Sequence, residues 1–320
     1  MRSTRDATRR PAQAIVHLLK LGIGIGIGIG LAVALGGACT SSTSDRRPSA
    51  DAGPARDGAV ADAGVAPRVD AAGTDAGTPA DAGALPDAAT GTDAASPAGI
   101  DPSGGSGGAF PGRQTRTAPR GGVPYDLYIP TSYDPARAMP LVSLFHGQGD
   151  TGANMVAFWQ ATAESGGFIV VATTSTGSMG GWSGGPDVDR YDAALDDALA
   201  AYNVERARLY LWGFSAGAHL AHGIALANTE LFAAYAVNAG VLDAFAGADA
   251  PAMAPRRIPV SITIGTTDPL YPYTMTDRMR FLAAGWTEPD TLRYATFDGP
   301  HTVLPTHPAE HWAFLQRFSL

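Results

Sequence analysis

The sequence predicts a doubly wound α/β domain with a mostly parallel sheet, preceded by a long segment outside that domain. All 11 Phe, 5 Trp and 10 Tyr residues lie at or after Phe110. A segment without aromatic side chains buries too little surface to offset chain entropy. Within residues 110–320, short apolar runs alternate with amphipathic stretches. Such runs are typical of parallel strands buried on both faces, and their alternation with helices indicates a doubly wound sheet.

Seven apolar runs are interpreted as strands. In chain order they are Val123–Ile129, 140–145, 167–173, 208–212, 231–237, 259–264 and Leu292–Phe297. The first run ends before Pro130, which is typical of an edge strand. Helices are predicted between several of these runs and after the last one. They cover residues 189–202, 216–228, 276–284 and 308–318.

The composition excludes several classes of protein. A single Cys excludes a disulfide framework and a Cys-based zinc site. The net charge of −8, without a basic cluster, argues against binding of nucleic acid. The only lysine is Lys20, so no P-loop is possible. No constellation of metal ligands is visible, and we predict neither a metal nor a cofactor.

The first 39 residues have the pattern of an export signal. Four arginines and Lys20 precede an uncharged stretch over residues 21–38. This order is typical of signal peptides. A retained membrane helix is the alternative, but the stretch is short and the five glycines of residues 22–30 weaken a helix.

The end of this segment, residues 35–39, resembles the lipobox of bacterial lipoproteins. Small residues precede Cys39, and the resemblance implies that this Cys is lipidated and becomes the mature N-terminus. Thr40 and Ser41 follow where a signal for retention in the inner membrane has Asp, which implies an outer-membrane lipoprotein on its periplasmic or surface face. An ordinary signal peptide and a secreted protein are the alternative.

Residues 40–109 are predicted to be a disordered linker. They are dominated by Ala, Asp, Gly and Pro, and the triplet Asp-Ala-Gly recurs at irregular spacing. A calcium-binding repeat is the alternative, but the G-G-x-G-x-D nonapeptide is missing. The linker would hold the domain of residues 110–320 away from a membrane.

Residues 213–217 match the pattern G-x-S-x-G, with an apolar run before them and a helical stretch after them. This context is the one that the motif requires, because its strained strand-to-helix turn exposes the Ser hydroxyl above the sheet. Ser215 is therefore the candidate nucleophile. The Ala216 N–H, at the start of the helix, would face developing negative charge.

A second loop supplies the other candidate donor for an oxyanion. Residues 145–150 follow an apolar run and read Phe-His-Gly-Gln-Gly-Asp. The glycines let the main chain approach closely, and the N–H of Gln148 is the best candidate donor. His146 is interpreted as a brace for this loop, with a role as general base as the alternative.

An acid and a base follow the last two predicted strands. Asp268 and His301 each lie in a loop directly after a strand, so both project from the carboxyl edge of the sheet, where sites form. Asp243 is the alternative acid. His307 and His311 are alternative bases, but their place in or beside the last helix favours a surface position. Asp277 is interpreted as solvated.

With these motifs, residues 118–320 resemble the α/β-hydrolase superfamily, and within it the polyhydroxybutyrate depolymerase, feruloyl esterase and acetylxylan esterase group. The resemblance is carried by five segments. They are the His-Gly-Gln loop at His146 and residues 187–191, 208–217, 265–268 and 300–302. The order Ser215, Asp268, His301 is that of the superfamily. The resemblance implies a serine esterase acting on polysaccharide-linked acyl groups or on a polyester.

The spacing of the motifs and two aromatic residues near them indicate the kind of substrate. Only 53 positions separate Ser215 from Asp268, so no large lid fits there and an open site for esters, including esters on polymers, is expected. The ring of Trp182 would stack on a sugar or aromatic group, or be a packed loop residue instead. Tyr271 would line the same cleft. A serine peptidase and a non-catalytic binding lipoprotein are the alternative functions.

Overall fold

The computed structural model describes residues 101–320, which form one sheet with helices on both faces. The strands are β1 Gly112–Ala118, β2 Val123–Ile129, β3 Met139–Phe145, β4 Ile169–Ala172, β5 Val204–Phe214, β6 Ala234–Asn238, β7 Val260–Gly265 and β8 Leu292–Phe297. The helices are α1 Gly152–Gly166, α2 Gly185–Ala201, α3 Ala216–Ala227, α4 Ala250–Met253, α5 Tyr271–Ala283 and α6 His307–Leu315. The predicted signal peptide, Cys39 and the linker as far as residue 100 lie outside the described residues.

The eight strands have the order β1-β2-β4-β3-β5-β6-β7-β8. The strands from β4 to β8 in this order run parallel, whereas β1 and β2 are antiparallel additions at one edge. The predicted doubly wound, mostly parallel sheet is therefore confirmed. The prediction that Val123–Ile129 is an edge strand is wrong, because β1 pairs with it along its whole length.

The central strands are buried on both faces, which explains their apolar runs. In β5, Leu209 and Leu211 point into one core, beneath α2, α3 and α5. Tyr210 and Trp212 point into the other core, beneath α1 and α6. Successive side chains of a strand face opposite sides, so each core receives alternate residues. No helix of residues 101–320 is long and apolar enough to cross a membrane.

Ordered contacts begin ahead of the predicted boundary at Phe110. The Ser103 N–H donates to the carbonyl of Val204 at 2.9 Å, and the Gly108 N–H donates to the carbonyl of Ala201 at 2.9 Å. The end of the predicted linker is thus part of the folded unit. A glycine is needed at position 105, because a Cβ there would lie 2.6 Å from main-chain atoms of Tyr202.

A buried polar network joins α6 to the sheet through Asn238, the last residue of β6. Its Oδ1 accepts from Trp212 Nε1 at 2.9 Å and from His311 Nε2 at 2.7 Å. Its Nδ2 donates to His307 Nδ1 at 2.8 Å. Both histidines are buried, so their interpretation as surface residues is wrong. They lie one turn apart on the face of α6 that packs on the sheet, and Asn238 provides the partners that buried polar groups need.

Trp159 and Trp212 offer a matched test of this network. Both rings are fully buried and their centroids are 5.4 Å apart. Within residues 101–320, the Trp159 indole N–H has no partner, whereas that of Trp212 donates to Asn238. We expect Trp212→Phe to lower the free energy of unfolding by about 1 kcal/mol more than Trp159→Phe, because only the former removes a hydrogen bond. Urea unfolding of both variants measures the difference, and equal losses would contradict it.

Burial of neutral histidines predicts a loss of stability in acid. Desolvation lowers the pKa of His222 to about 3, and it lowers the pKa of His311 well below its usual range. Below the unfolded-state pKa of about 6.5, the unfolded chain therefore binds protons that the folded chain excludes. The free energy of unfolding therefore decreases as the pH is lowered below about 6.5, by about 1.4 kcal/mol per pH unit for each such histidine.

His311→Gln removes one of these groups. We expect the slope of unfolding free energy against pH, measured between about pH 6 and pH 5, to decrease by up to about 1.4 kcal/mol per pH unit. Trp212→Phe is the control, since it contacts the same Asn238 but removes no titrating group. An unchanged slope in His311→Gln would show that this histidine is protonated in the folded protein.

Candidate active site

Ser215 occupies a strained turn between β5 and α3, with φ 53° and ψ −120°. The flanking glycines are required by close approach of main chains. A Cβ on Gly213 would lie 2.3 Å from the Gly217 carbonyl oxygen, and a Cβ on Gly217 would lie 2.2 Å from the Phe145 carbonyl oxygen. The glycines of the G-x-S-x-G pattern are thus required by a turn that packs against its own helix and against the end of β3.

Ser215, His301 and Asp268 form a continuous chain of hydrogen bonds. The Ser215 Oγ lies 2.7 Å from His301 Nε2, and His301 Nδ1 lies 2.8 Å from Asp268 Oδ2. A carboxylate only accepts, so Nδ1 carries the proton and Nε2 is free to accept from the serine hydroxyl. The structure therefore brings together the three residues that the sequence selected, in the arrangement of nucleophile, base and orienting acid.

The positions of Asp268 and His301 follow from the strands that precede their loops. Asp268 follows β7 and is buried, with its other oxygen accepting from the Leu270 N–H at 2.8 Å. His301 follows β8, and its ring packs on Phe214 with centroids 5.2 Å apart. The Thr267 N–H donates to the Gly299 carbonyl at 3.0 Å, which joins the two loops. The carboxyl ends of parallel strands meet at this edge.

Two main-chain N–H groups near Ser215 have no partner within the described residues. They belong to Gln148 and to Ala216, the first residue of α3. The loop that carries Gln148 lies against the turn, because a Cβ on Gly147 would be 3.6 Å from the Ser215 Cβ. Free N–H groups beside a nucleophile, one of them at a helix N-terminus, can stabilise a developing oxyanion.

His146 and Trp182 hold this loop in place. The buried His146 ring receives a hydrogen bond from the Ser175 N–H to Nε2 at 2.9 Å, so its Nδ1 donates to the Gly147 carbonyl at 2.6 Å. Burial lowers the pKa of His146 and favours this neutral form. The Trp182 indole N–H donates to the His146 carbonyl at 2.9 Å. His146 is thus a brace, as the sequence indicated.

Of the two interpretations of Trp182, the structure supports a packed loop residue and not a ring that stacks on substrate. Its side chain is only 8% exposed, and its ring packs against Phe145 and His146 at 5.5 and 4.7 Å between centroids. Tyr271 is half-buried at the start of α5, three residues after Asp268. Its hydroxyl makes no hydrogen bond to the Ser–His–Asp chain among residues 101–320.

The alternative acids and bases have other partners. Asp243 is exposed and forms an ion pair with Arg280 at 3.3 Å. Asp277 is buried and accepts from the Leu242 N–H at 3.0 Å, so its interpretation as solvated is wrong. Its second partner, Arg280 at 2.8 Å, balances its charge. Sequence reasoning had no signal for this burial, because the partner N–H belongs to the 3₁₀ turn Leu242–Ala244, far from Asp277 in the sequence.

His219 is a further neighbour of the site. It lies one helical turn after Ser215, and its Nδ1 accepts from the Val241 N–H at 2.8 Å. Burial lowers the pKa of His219, and the nearby His301 lowers it further. The ring thereby anchors the loop after β6 beside the site. The described residues contain no cluster of three or more potential metal ligands.

No protein-family model matches the sequence, and no curated protein matches it. Solved structures are similar in fold. A ferulic acid esterase matches with a TM-score of 0.53 at 15% identity, over 64% of this chain and 96% of its own. The feruloyl esterase module from Clostridium thermocellum matches with a TM-score of 0.51 at 15% identity, over 64% and 86%.

A third similar structure is Porphyromonas gingivalis dipeptidyl peptidase 4, with a TM-score of 0.53 at 15% identity. The match covers 66% of this chain but only 36% of the peptidase, so this chain corresponds to a part of that protein. Esterases and a peptidase are thus similar to this chain in fold. Together with the turn at Ser215 and the loops after β3, β7 and β8, they identify the domain as having the α/β-hydrolase fold.

Proposed function

We propose that the chain is an exported serine esterase that hydrolyses carboxylic esters through an acyl-enzyme. The observation that carries the proposal is the unbroken chain from Ser215 Oγ through His301 to Asp268, with hydrogen bonds of 2.7 and 2.8 Å. Nucleophilic catalysis needs a base within hydrogen-bond reach of the nucleophile and a third group that orients the base. The proposed substrates are polysaccharide-linked acyl esters or polyesters.

The proposed reaction has two halves. In the first, His301 Nε2 takes the proton of Ser215 while Oγ attacks the ester carbonyl, and the same nitrogen then protonates the leaving alcohol. In the second, water attacks the acyl-enzyme with His301 again as base, and the acid is released. Asp268 holds the tautomer and stabilises the imidazolium in both halves. The N–H groups of Gln148 and Ala216 bind the oxyanion of each tetrahedral intermediate.

The accessibility of the site supports an ester on a bulky carrier. Between Ser215 and Asp268 the chain forms only α3, β6, one 3₁₀ turn, the four-residue α4 and β7. The segment contains no lid of the size that encloses a buried lipid chain. His301 retains 35% side-chain exposure in this arrangement. A carbonyl at the surface of a polymer can therefore approach Ser215.

Substitution within the proposed triad tests the function. We expect Ser215→Ala to lower kcat on aryl acetates by roughly 10⁴- to 10⁶-fold, and Asp268→Asn by about 10⁴-fold, because the tautomer of His301 is lost. Asp243→Asn is the matched control and should retain activity, since its partner is Arg280. Activity that survives in Ser215→Ala would overturn the proposal.

A substrate panel separates the classes. It contains methyl ferulate, acetylated xylan, a polyhydroxyalkanoate and a set of peptides, each tested with wild type and Ser215→Ala. Turnover of an ester that depends on Ser215 supports the esterase and identifies its subgroup. Turnover of peptides alone would assign a peptidase. A folded wild type without turnover of either class would favour a binding protein.

The proposed location rests on the sequence of residues 1–39. Attachment of lipid at Cys39 would tether the domain to the outer membrane, with the ester substrate as its only other proposed partner. We expect cells expressing the full chain to incorporate labelled palmitate into it, and Cys39→Ser to abolish the label. Ser215→Ala is the control and should keep the label. Labelling that persists in Cys39→Ser would contradict a lipid anchor at this residue.

A further inference from the structure

An exposed methionine occupies a conformation that its side chain disfavours. Met179 lies in the 3₁₀ turn Ser178–Gly180 after β4, with φ 52° and ψ 30°. Its side chain is 80% exposed. A residue with a Cβ is disfavoured in the left-handed region, and glycine adopts that region freely. Neither the turn nor the core therefore requires a methionine at this position.

The turn is held by a dense set of hydrogen bonds. The Gly177 N–H donates to the Gly181 carbonyl at 3.0 Å, and the Gly181 N–H donates to the Ser178 carbonyl at 3.0 Å. The Ser175 hydroxyl donates to the Gly180 carbonyl at 2.9 Å. These bonds fix the direction in which Met179 leaves the main chain. A strained, exposed residue in a well-fixed turn points to function rather than packing.

The turn also borders the loop that carries the proposed oxyanion donor. The Gly149 N–H donates to the Gly180 carbonyl at 3.0 Å, and a Cβ on Gly180 would lie 2.7 Å from the Gly149 Cα. Gly149 follows Gln148 directly, and Gly147 approaches the Ser215 Cβ. Met179 therefore lies beside the loop that carries Gln148, whose N–H binds the oxyanion in the proposed function.

We propose that Met179 is a specificity-determining residue that contacts an apolar group, alkyl or aryl, of the bound ester. The inference deepens the proposed function and rests on it. The methionine side chain is unbranched and polarisable, so it adapts to apolar groups of different shape and makes favourable contacts with aromatic rings. Contact with substrate covers an apolar surface that the folded chain leaves in water. The apolar group belongs either to the acyl part or to the alcohol part.

The test compares the full chain with Met179→Gly and Met179→Leu on two substrate series. One series varies the acyl group, from acetate to hexanoate with a 4-nitrophenyl leaving group. The other varies the alcohol, from methyl to naphthylmethyl acetate. We expect Met179→Gly to lower kcat/KM for the larger member of one series by about five- to twenty-fold through KM, with the smaller member changed by less than about two-fold. Met179→Leu should restore most of the loss.

Two controls separate contact with substrate from a role in folding. Met253, in the short α4, is 79% exposed, and Met253→Gly should leave the selectivity of both series unchanged. Met179→Gly should have a Tm no lower than wild type, because glycine relieves the left-handed strain. A lower Tm together with an equal loss on all substrates would assign Met179 a structural role and overturn the inference.

The outcome also distinguishes this inference from the proposed function. Ser215-dependent turnover with selectivity unchanged in Met179→Gly would overturn only the role of Met179. Turnover by wild type that is absent or independent of Ser215 would overturn the proposed function, and with it the inference. A loss confined to hexanoate assigns the contact to the acyl group, and a loss confined to the naphthylmethyl ester assigns it to the alcohol.

Discussion

The close approach of main chains at the turn of Ser215 is the constraint on which the site depends. The space beside Gly217 is filled by the Phe145 carbonyl, and the space beside Gly213 by the start of α3. With no side chain between them, the end of β3 and the first turn of α3 lie in direct contact. The free N–H groups of Gln148 and Ala216 thereby come to the same edge as the serine hydroxyl. The strain at Ser215 is held by this packing.

Behind this edge, buried polar groups connect the site to the core. The Ser215 N–H donates to the Asn238 carbonyl at 2.9 Å, while the Asn238 side chain is bonded to His307 and His311. His307 Nδ1 also accepts from the Leu304 N–H at 3.1 Å, within the loop that leads away from His301. The main chain of Ser215 and the loop that follows His301 are thus linked through Asn238. Such networks favour one arrangement of a core, because a buried polar group without its hydrogen-bond partner destabilises the folded state.

The central strands and the three residues of the site could be predicted because each leaves a local pattern. Burial on both faces produces apolar runs, and a strained turn requires glycines at fixed positions. β1 was missed because its sequence, GRQTRTA, is polar and belongs to a strand with exposed side chains. α1 was missed although Thr151 caps it and Gly167 ends it at φ 64°. Position in the last helix indicated a surface site for His307 and His311, since their burial depends on a distant asparagine.

Ser103 and Ser215 lie at opposite ends of β5. The Ser103 hydroxyl accepts from the N–H of Val204, the first residue of β5, at 2.7 Å. Ser215 follows the other end of the same strand, which pairs with β3 from Met139 to Phe145, a distance of about 20 Å. Ser103 therefore lies at the pole of the domain opposite to the edge that carries Ser215. Immobilised on a solid support by a group ahead of Ser103, the domain would present that edge to the surrounding solution.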